Sequence, residues 1–194
     1  RTETIKYDGE EISFIVPKKT IRELIKIIGS ETDKDVQISV GKRHIIFDVD
    51  NYSIISRLLE GDFLDYNAAI PKTSGTTVLI NTNDAISCIE RTIPVIENSA
   101  KNPIRCLFDN DEMRVSTVSA LGRVVDYTHA NISGNRVEIG FNSKYLLDAF
   151  NAADTDQVKI ELSGPVSPVK ILPVNDESFL FLVLPMRLKG SDND

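Results

Sequence analysis

The sequence predicts an α+β fold made of three consecutive copies of one β-α-β-β-β unit. The first copy spans residues 13–59 and the third spans residues 136–184, with the same order of elements and nearly the same length. The stretches DVQISV and HIIFDV of the first copy match QVKIEL and PVKILPV of the third, and a middle copy runs from Thr77 to about Ile132. Because one helix cannot cover a four-stranded sheet alone, pairs of units should share a core, and one of the three lacks a mate.

The first unit should open with the strand SFIV and continue into the helix PKKTIRELIKII, in which Pro17 suits the first turn. Its buried face should contain the apolar residues at helical spacing, namely Ile21, Leu24, Ile25 and Ile28. On another side Lys18, Arg22 and Lys26 recur every four residues, with Lys19 beside them, and we call these four cations the cationic row. Such a row can contact a phosphate backbone without reading sequence, or it can be an ordinary solvated helix face. The pattern by itself leaves both interpretations open.

The second and third units each contain one more predicted helix. The second helix, from Thr82 to Ile96, should bury Ile86, Ile89 and Ile93, expose Arg91, and end or kink at Pro94. The third should begin at a cap from Asn142 or Ser143, expose Lys144, and bury Leu146, Ala149, Phe150 and Ala153. The strands between these helices are rich in β-branched residues and are separated by turn sequences such as GKR, DNDE and GPVSP.

Composition excludes several classes of protein. The 194 residues are 41% hydrophobic but contain no apolar run near the roughly 20 residues of a membrane span, which predicts a soluble chain. The net charge of −7 opposes adhesion to nucleic acid through a wholly basic surface. Cys88 and Cys106 form no CxxC pair, so we expect buried, reduced thiols and a cytosolic location.

Residues suited to catalysis are nearly absent. His44 and His129 lie in predicted strands at no metal-ligand spacing, which favours structural roles, and no phosphate loop or nucleophile motif occurs. Asp62 and Asp65 could be offered as general acid and base, but no partner that would orient a substrate is visible. The sequence therefore predicts a protein that is not an enzyme and needs no cofactor or metal.

Apolar groups instead gather where strands end. One set is Phe63, Leu64, Tyr66, Ile70 and Pro71, and the other is the stretch FLFLVLPM at residues 179–186. That stretch should be mostly core, but Pro185 and Met186 leave the sheet and can form an apolar lip. A lip of this kind can accept short peptides with apolar anchors.

Three motifs carry a resemblance to a known family. LLEGDFLDYNAAIP at residues 58–71, EIGFNSKYLLDAF at residues 138–150 and LVLPMRL at residues 182–188 resemble the bacterial DNA polymerase III beta subunit, the sliding clamp. The resemblance covers most of residues 12–188 and implies the DNA clamp fold, with sheets outside and helices lining a channel. Residues 1–71 would be the second half of the middle domain plus a connector, residues 72–188 the C-terminal domain, and residues 189–194 an acidic tail.

The resemblance also implies two sets of site residues. The peptide pocket would contain Leu64, Ala68, Ala69, Asn142, Tyr145, Val166, Pro168, Leu182, Val183, Leu184, Pro185, Met186, Arg187 and Leu188, with Val166 and Pro168 on a strand. The DNA channel would be lined by the cationic row together with Arg91 and Lys144. Leu64 stands where the family usually has proline and Ala68 where many members have arginine, which should alter the peptide preference.

The function implied by the resemblance is that of a processivity factor without catalysis, which tethers the replicative polymerase to encircled duplex DNA. Its partners would be the DNA polymerase III alpha subunit, the clamp loader, repair polymerases and mismatch-repair factors, in the bacterial cytoplasm at the nucleoid. The full-length protein would be a head-to-tail homodimer ring, joined on this side through Ile93, Val95, Ile96 and Cys106 or its neighbours. Since the chain opens at Arg1 without a first domain, we expect that it cannot close the ring alone. The alternative is a free-standing peptide-binding module that competes for clamp partners without encircling DNA.

Overall fold

The computed structural model describes residues 7–29, 35–96 and 102–188. The chain divides into two compact units, with the division between Asp65 and Tyr66, inside the predicted connector. We call them the N-terminal unit and the C-terminal unit. The acidic tail at residues 189–194 lies outside the described residues.

In its described residues the N-terminal unit contains one helix and one antiparallel sheet of three strands. These are α1 (Lys18–Ile28), β1 (Gln37–Val40), β2 (His44–Val49) and β3 (Tyr52–Arg57), in the sheet order β1-β2-β3. The GKR turn forms as predicted, since the Gly41 N–H donates to the His44 carbonyl at 2.8 Å. Alternate residues of β2, namely Ile45, Phe47 and Val49, point into the small core of this unit. The predicted opening strand SFIV is reduced to a single bridge between Ile15 and Leu59.

The predicted buried face of α1 is wrong for two of its residues. No residue of α1 is buried; the exposed fraction is 37% for Ile21 and 60% for Ile25, and Leu24 and Ile28 are half-buried. Among the described residues, the main contacts of α1 are with β3 and β2, and these strands leave part of its apolar face uncovered. Pro17 occupies the position just before the helix rather than its first turn.

The C-terminal unit contains two repeats joined in one antiparallel sheet of eight strands. The elements of the first repeat are β4 (Thr76–Asn81), α2 (Thr82–Glu90), β5 (Ile104–Asp109), β6 (Glu112–Ser119) and β7 (Gly122–Gly134). Those of the second are β8 (Val137–Phe141), α3 (Ser143–Asn151), β9 (Gln157–Leu162), β10 (Val169–Pro173) and β11 (Phe181–Val183). The sheet order is β11-β10-β9-β4-β7-β6-β5-β8, so β4 of one repeat pairs with β9 of the other. The α+β class and the repeated unit are confirmed.

The two ends of this sheet meet at one backbone bridge. The Met186 N–H, just after β11, donates to the Gly140 carbonyl of β8 at 2.8 Å. Only glycine fits there, because a Cβ on residue 140 would lie 2.6 Å from the Met186 carbonyl oxygen. The bridge between Ile15 and Leu59 has the same place in the N-terminal unit, since each joins the opening segment of a repeat to the residues after its last strand.

The core of the C-terminal unit lies under the two helices, which pack against each other. Ile89 of α2 and Leu146, Ala149 and Phe150 of α3 are buried as predicted. Ile93 is 43% exposed, which corrects the prediction, because α2 ends at Glu90 and a separate 3₁₀ turn covers Ile93–Val95. Pro94 lies in that turn and cannot supply a helical N–H.

Both thiols are free and buried, as predicted. Cys88 lies in α2 and Cys106 in β5, and burial raises the pKa of the Cys88 thiol to about 11. Cys106 is fully buried in the core, so a ring contact at this point would involve its neighbours in β5 rather than Cys106 itself.

Candidate peptide-binding site

A groove of about 770 Å³ runs along α3 in the C-terminal unit. One wall is the exposed side of α3 and the other is the segment that ends the sheet, residues 180–186. The lining residues are Asn142, Tyr145, Asp148, Ala149, Ala152, Leu180, Phe181, Leu182, Val183, Leu184, Pro185 and Met186. Seven of the fourteen predicted pocket residues are thus brought together: Asn142, Tyr145, Leu182, Val183, Leu184, Pro185 and Met186.

The start of α3 fixes one end of the groove. Asn142 is the N-cap, and its side-chain Oδ1 accepts hydrogen bonds from the backbone N–H groups of Lys144 at 3.0 Å and Tyr145 at 3.4 Å. This contact satisfies N–H groups that the first helical turn would otherwise leave unpaired. The cap therefore holds the turn that carries Tyr145, whose side chain is 64% exposed.

The opposite wall is apolar and anchored to the core. Phe179 and Phe181 stack with ring centroids 4.6 Å apart, and Val183 is buried. Leu184 follows with 65% of its side chain exposed, after which Pro185 and the bridged Met186 end the wall. An exposed leucine between fixed neighbours offers apolar surface that a ligand can cover at little conformational cost.

The other predicted pocket residues do not line this groove. Val166 and Pro168 lie in the turn before β10 rather than on a strand, and Val166 is 68% exposed. Arg187 and Leu188 follow the end of the groove, and Ala68 and Ala69 are exposed in a 3₁₀ helix, Tyr66–Ala69. Leu64 belongs to the N-terminal unit and is 76% exposed. Their part in peptide binding stays a prediction.

Sequence reasoning missed five lining residues: Asp148, Ala149, Ala152, Leu180 and Phe181. For the three on α3 the sequence carried a signal, because residues three, four and seven positions after Tyr145 share its side of a helix. Among the described residues, Asp148 is the one charged side chain that lines the groove.

The predicted DNA-contacting cations differ in how free their charges are. Lys18, Lys19 and Arg22 are exposed on α1 with no ion-pair partner in the described parts of the chain, whereas Lys26 pairs with Glu23 at 2.9 Å. Arg91 forms an ion pair with Asp126 of β7, and this hydrogen bond raises the pKa of Arg91. Asp126 therefore offsets the charge of Arg91, as Glu23 offsets that of Lys26. Lys144 is exposed in the first turn of α3.

Within residues 7–29, 35–96 and 102–188, no group of three or more metal-ligating side chains comes together. His44 and His129 lie exposed on β2 and β7. Among the same residues no helix combines the length and apolar character that crossing a membrane requires.

Repeated β-α-β-β-β units that share one antiparallel sheet define the DNA clamp fold. Residues 1–65 match the central domain and residues 67–187 the C-terminal domain of the DNA polymerase III beta subunit. The chain belongs to this family, as the three sequence motifs had indicated.

Relatives support the assignment over nearly the whole chain. The beta sliding clamp of Staphylococcus epidermidis is 34% identical over 93% of this chain and 48% of its own length, and that of Staphylococcus aureus is 32% identical over 92% and 48%. The crystal structure of the Bacillus subtilis DNA polymerase sliding clamp superposes with a TM-score of 0.83 and 28% identity, over 91% of this chain and 47% of that one. The sliding clamp of Pseudomonas aeruginosa bound to griselimycin has a TM-score of 0.79 and 27% identity, over 90% and 47%. The chain therefore spans about half the length of the relatives that it matches.

Proposed function

We propose that this chain is part of a sliding clamp that recruits DNA polymerase and other replication and repair proteins through the α3 groove. The observation that carries the proposal is the groove itself, in which Tyr145 and Leu184 expose apolar surface between fixed neighbours. A leucine or phenylalanine anchor buried there would contribute roughly 1.5 to 3 kcal/mol. A few such anchors explain how short segments of unrelated partners could share one site.

The partners proposed are the DNA polymerase III alpha subunit, the clamp loader, repair polymerases and mismatch-repair factors. Each would insert a short motif that contains a glutamine and apolar anchors. Residues 1–71, 72–188 and 189–194 would then be half of a middle domain with its connector, a last domain and a tail, and the longer protein would form a head-to-tail homodimer ring. The chain itself would contribute no catalysis.

The test is fluorescence polarisation with one labelled peptide, which carries a glutamine followed by leucine and phenylalanine anchors; we call it the parent peptide. Saturable binding is expected, and Leu184→Asp should abolish it because a charge would enter the apolar wall. The matched control is Leu121→Asp, since Leu121 is 70% exposed at the tip of the hairpin between β6 and β7, away from the groove lining. Equal affinity of both variants for the parent peptide would contradict the assignment of the groove.

The cationic row is proposed to face duplex DNA, together with Lys144. Weak binding to duplex DNA at low salt should fall when Lys18 and Arg22 are both changed to glutamate, and it should weaken as salt rises. Arg91→Gln should change it little, because Asp126 already compensates that charge. A larger loss from Arg91→Gln than from the double variant would refute the proposed DNA-facing surface.

The groove lies wholly within the C-terminal unit, so it also fits a peptide-binding module that never encircles DNA. Retention on circular DNA, followed by release when the circle is cut, distinguishes the two functions. A clamp shows both effects, whereas a competing module binds the parent peptide and shows neither.

A further inference from the structure

The α3 groove has one feature that apolar peptide anchors do not account for, which is the carboxylate of Asp148. The other described residues that line the groove carry no charge. Asp148 is exposed, and among the residues that the structure describes it has no ion-pair partner. Lys144, one turn earlier on α3, forms no ion pair with it either. The groove thus presents an uncompensated negative charge to whatever occupies it.

We propose that Asp148 makes the groove select partner segments that carry a lysine or arginine next to their apolar anchors. This inference rests on the proposed peptide-binding function and adds the charge of the partner to it. Asp148 would act as a specificity-determining residue, not as an anchor.

Geometry supports a cation beside Asp148. Tyr145 and Asp148 lie three residues apart, so their side chains share one side of α3. The small side chains of Ala149 and Ala152, four and seven residues after Tyr145, line the groove on the same side. A lysine or arginine seated over these alanines would meet the Asp148 carboxylate and could lie against the exposed Tyr145 ring. The two alanines leave room for the long side chain.

The net charge of the chain also favours a cationic partner segment. The chain has a net charge of −7, which favours the approach of cationic segments and disfavours acidic ones. An acidic residue placed at the same point of a partner would face Asp148 directly and be repelled.

The test uses the parent peptide and two series derived from it. In one series lysine replaces each non-anchor position in turn, and in the other glutamate replaces the same positions. At one position or more, the lysine peptide should bind the unmodified chain roughly two- to five-fold more tightly than the glutamate peptide, as expected for an exposed ion pair. The difference should shrink at high salt, because exposed charges are screened.

Two variants assign the effect to Asp148. Asp148→Asn should bring the ratio of lysine-peptide to glutamate-peptide affinity to about one, and Asp148→Lys should reverse it. The matched control is Glu90→Gln, which removes one exposed negative charge at the end of α2, outside the groove lining, and should leave the preference intact.

Lysine and glutamate peptides that bind equally at every position, or a preference that survives in Asp148→Asn, would overturn the inference while leaving the groove assignment in place. Failure of the parent peptide to bind the unmodified chain would instead overturn the proposed function, and this inference with it.

Discussion

Asn142 is expected to stabilise α3 and to set the position of Tyr145 in the groove. Its side chain accepts one well-formed hydrogen bond of 3.0 Å from the Lys144 N–H and a longer one of 3.4 Å from the Tyr145 N–H. Asn142→Ala removes both, and the loss of an N-cap of this kind costs about 1 kcal/mol. If peptide binding must then order the frayed first turn, affinity for the parent peptide should fall about five-fold, since 1.4 kcal/mol corresponds to tenfold.

The internal repeat supplies a matched control for this variant. Asn81 caps α2 in the same way, accepting a hydrogen bond from the Asp84 N–H at 3.1 Å, but it does not line the groove. Urea unfolding should therefore show a similar loss of stability for Asn81→Ala and Asn142→Ala, and only the second should weaken peptide binding. Asn142→Ser, which keeps a capping oxygen, should recover much of both losses.

Two results would refute this reasoning. Unchanged stability in Asn142→Ala would mean that the cap does not hold α3. Equal affinity of the Asn81→Ala and Asn142→Ala variants for the parent peptide would mean that the start of α3 does not position the groove.

Three further predictions concern the packing within each unit. Gly140→Ala should destabilise the C-terminal unit by about 1 to 3 kcal/mol in urea unfolding, because the new Cβ would lie 2.6 Å from a backbone oxygen across the bridge. The control is Gly75→Ala, which should be nearly neutral because no atom lies within 4 Å of its Cβ. The free energy of unfolding should fall as pH rises above about 9, because the Cys88 thiol ionises in the unfolded chain but keeps its proton in the fold until pH approaches about 11. Cys88→Ala should reduce this fall. An unchanged pH profile in that variant would contradict the prediction. Ile25→Ala should lower the free energy of unfolding by less than about 0.5 kcal/mol because Ile25 is 60% exposed, whereas Phe150→Ala in the core should lower it by about 3 to 5 kcal/mol. Comparable losses of the two variants in urea unfolding would show that the exposed face of α1 is covered in solution.

The family motifs identified the family of the chain and seven of the twelve residues that line the groove, but long-range pairing decided how the groove is built. The stretch Leu182–Met186 lines a groove because β11 ends where Met186 bridges to Gly140, and those two residues are far apart in sequence. Asp148 and Ala152 join the site because that bridged segment lies along α3. Neither relation follows from the local pattern around either residue.

The sequence by itself determined the repeated β-α-β-β-β unit, the inward faces of α2 and α3 as far as Ile89 and Phe150, a cap at Asn142 or Ser143, and the buried thiols. These features depend on residues close together in the chain, whose periodicity directly records which side is buried. Only the tertiary structure decided that Ile25 is exposed and that Asp126 compensates Arg91. Each of those outcomes depends on which distant element supplies the neighbouring surface or charge, and periodicity carries no information about that neighbour.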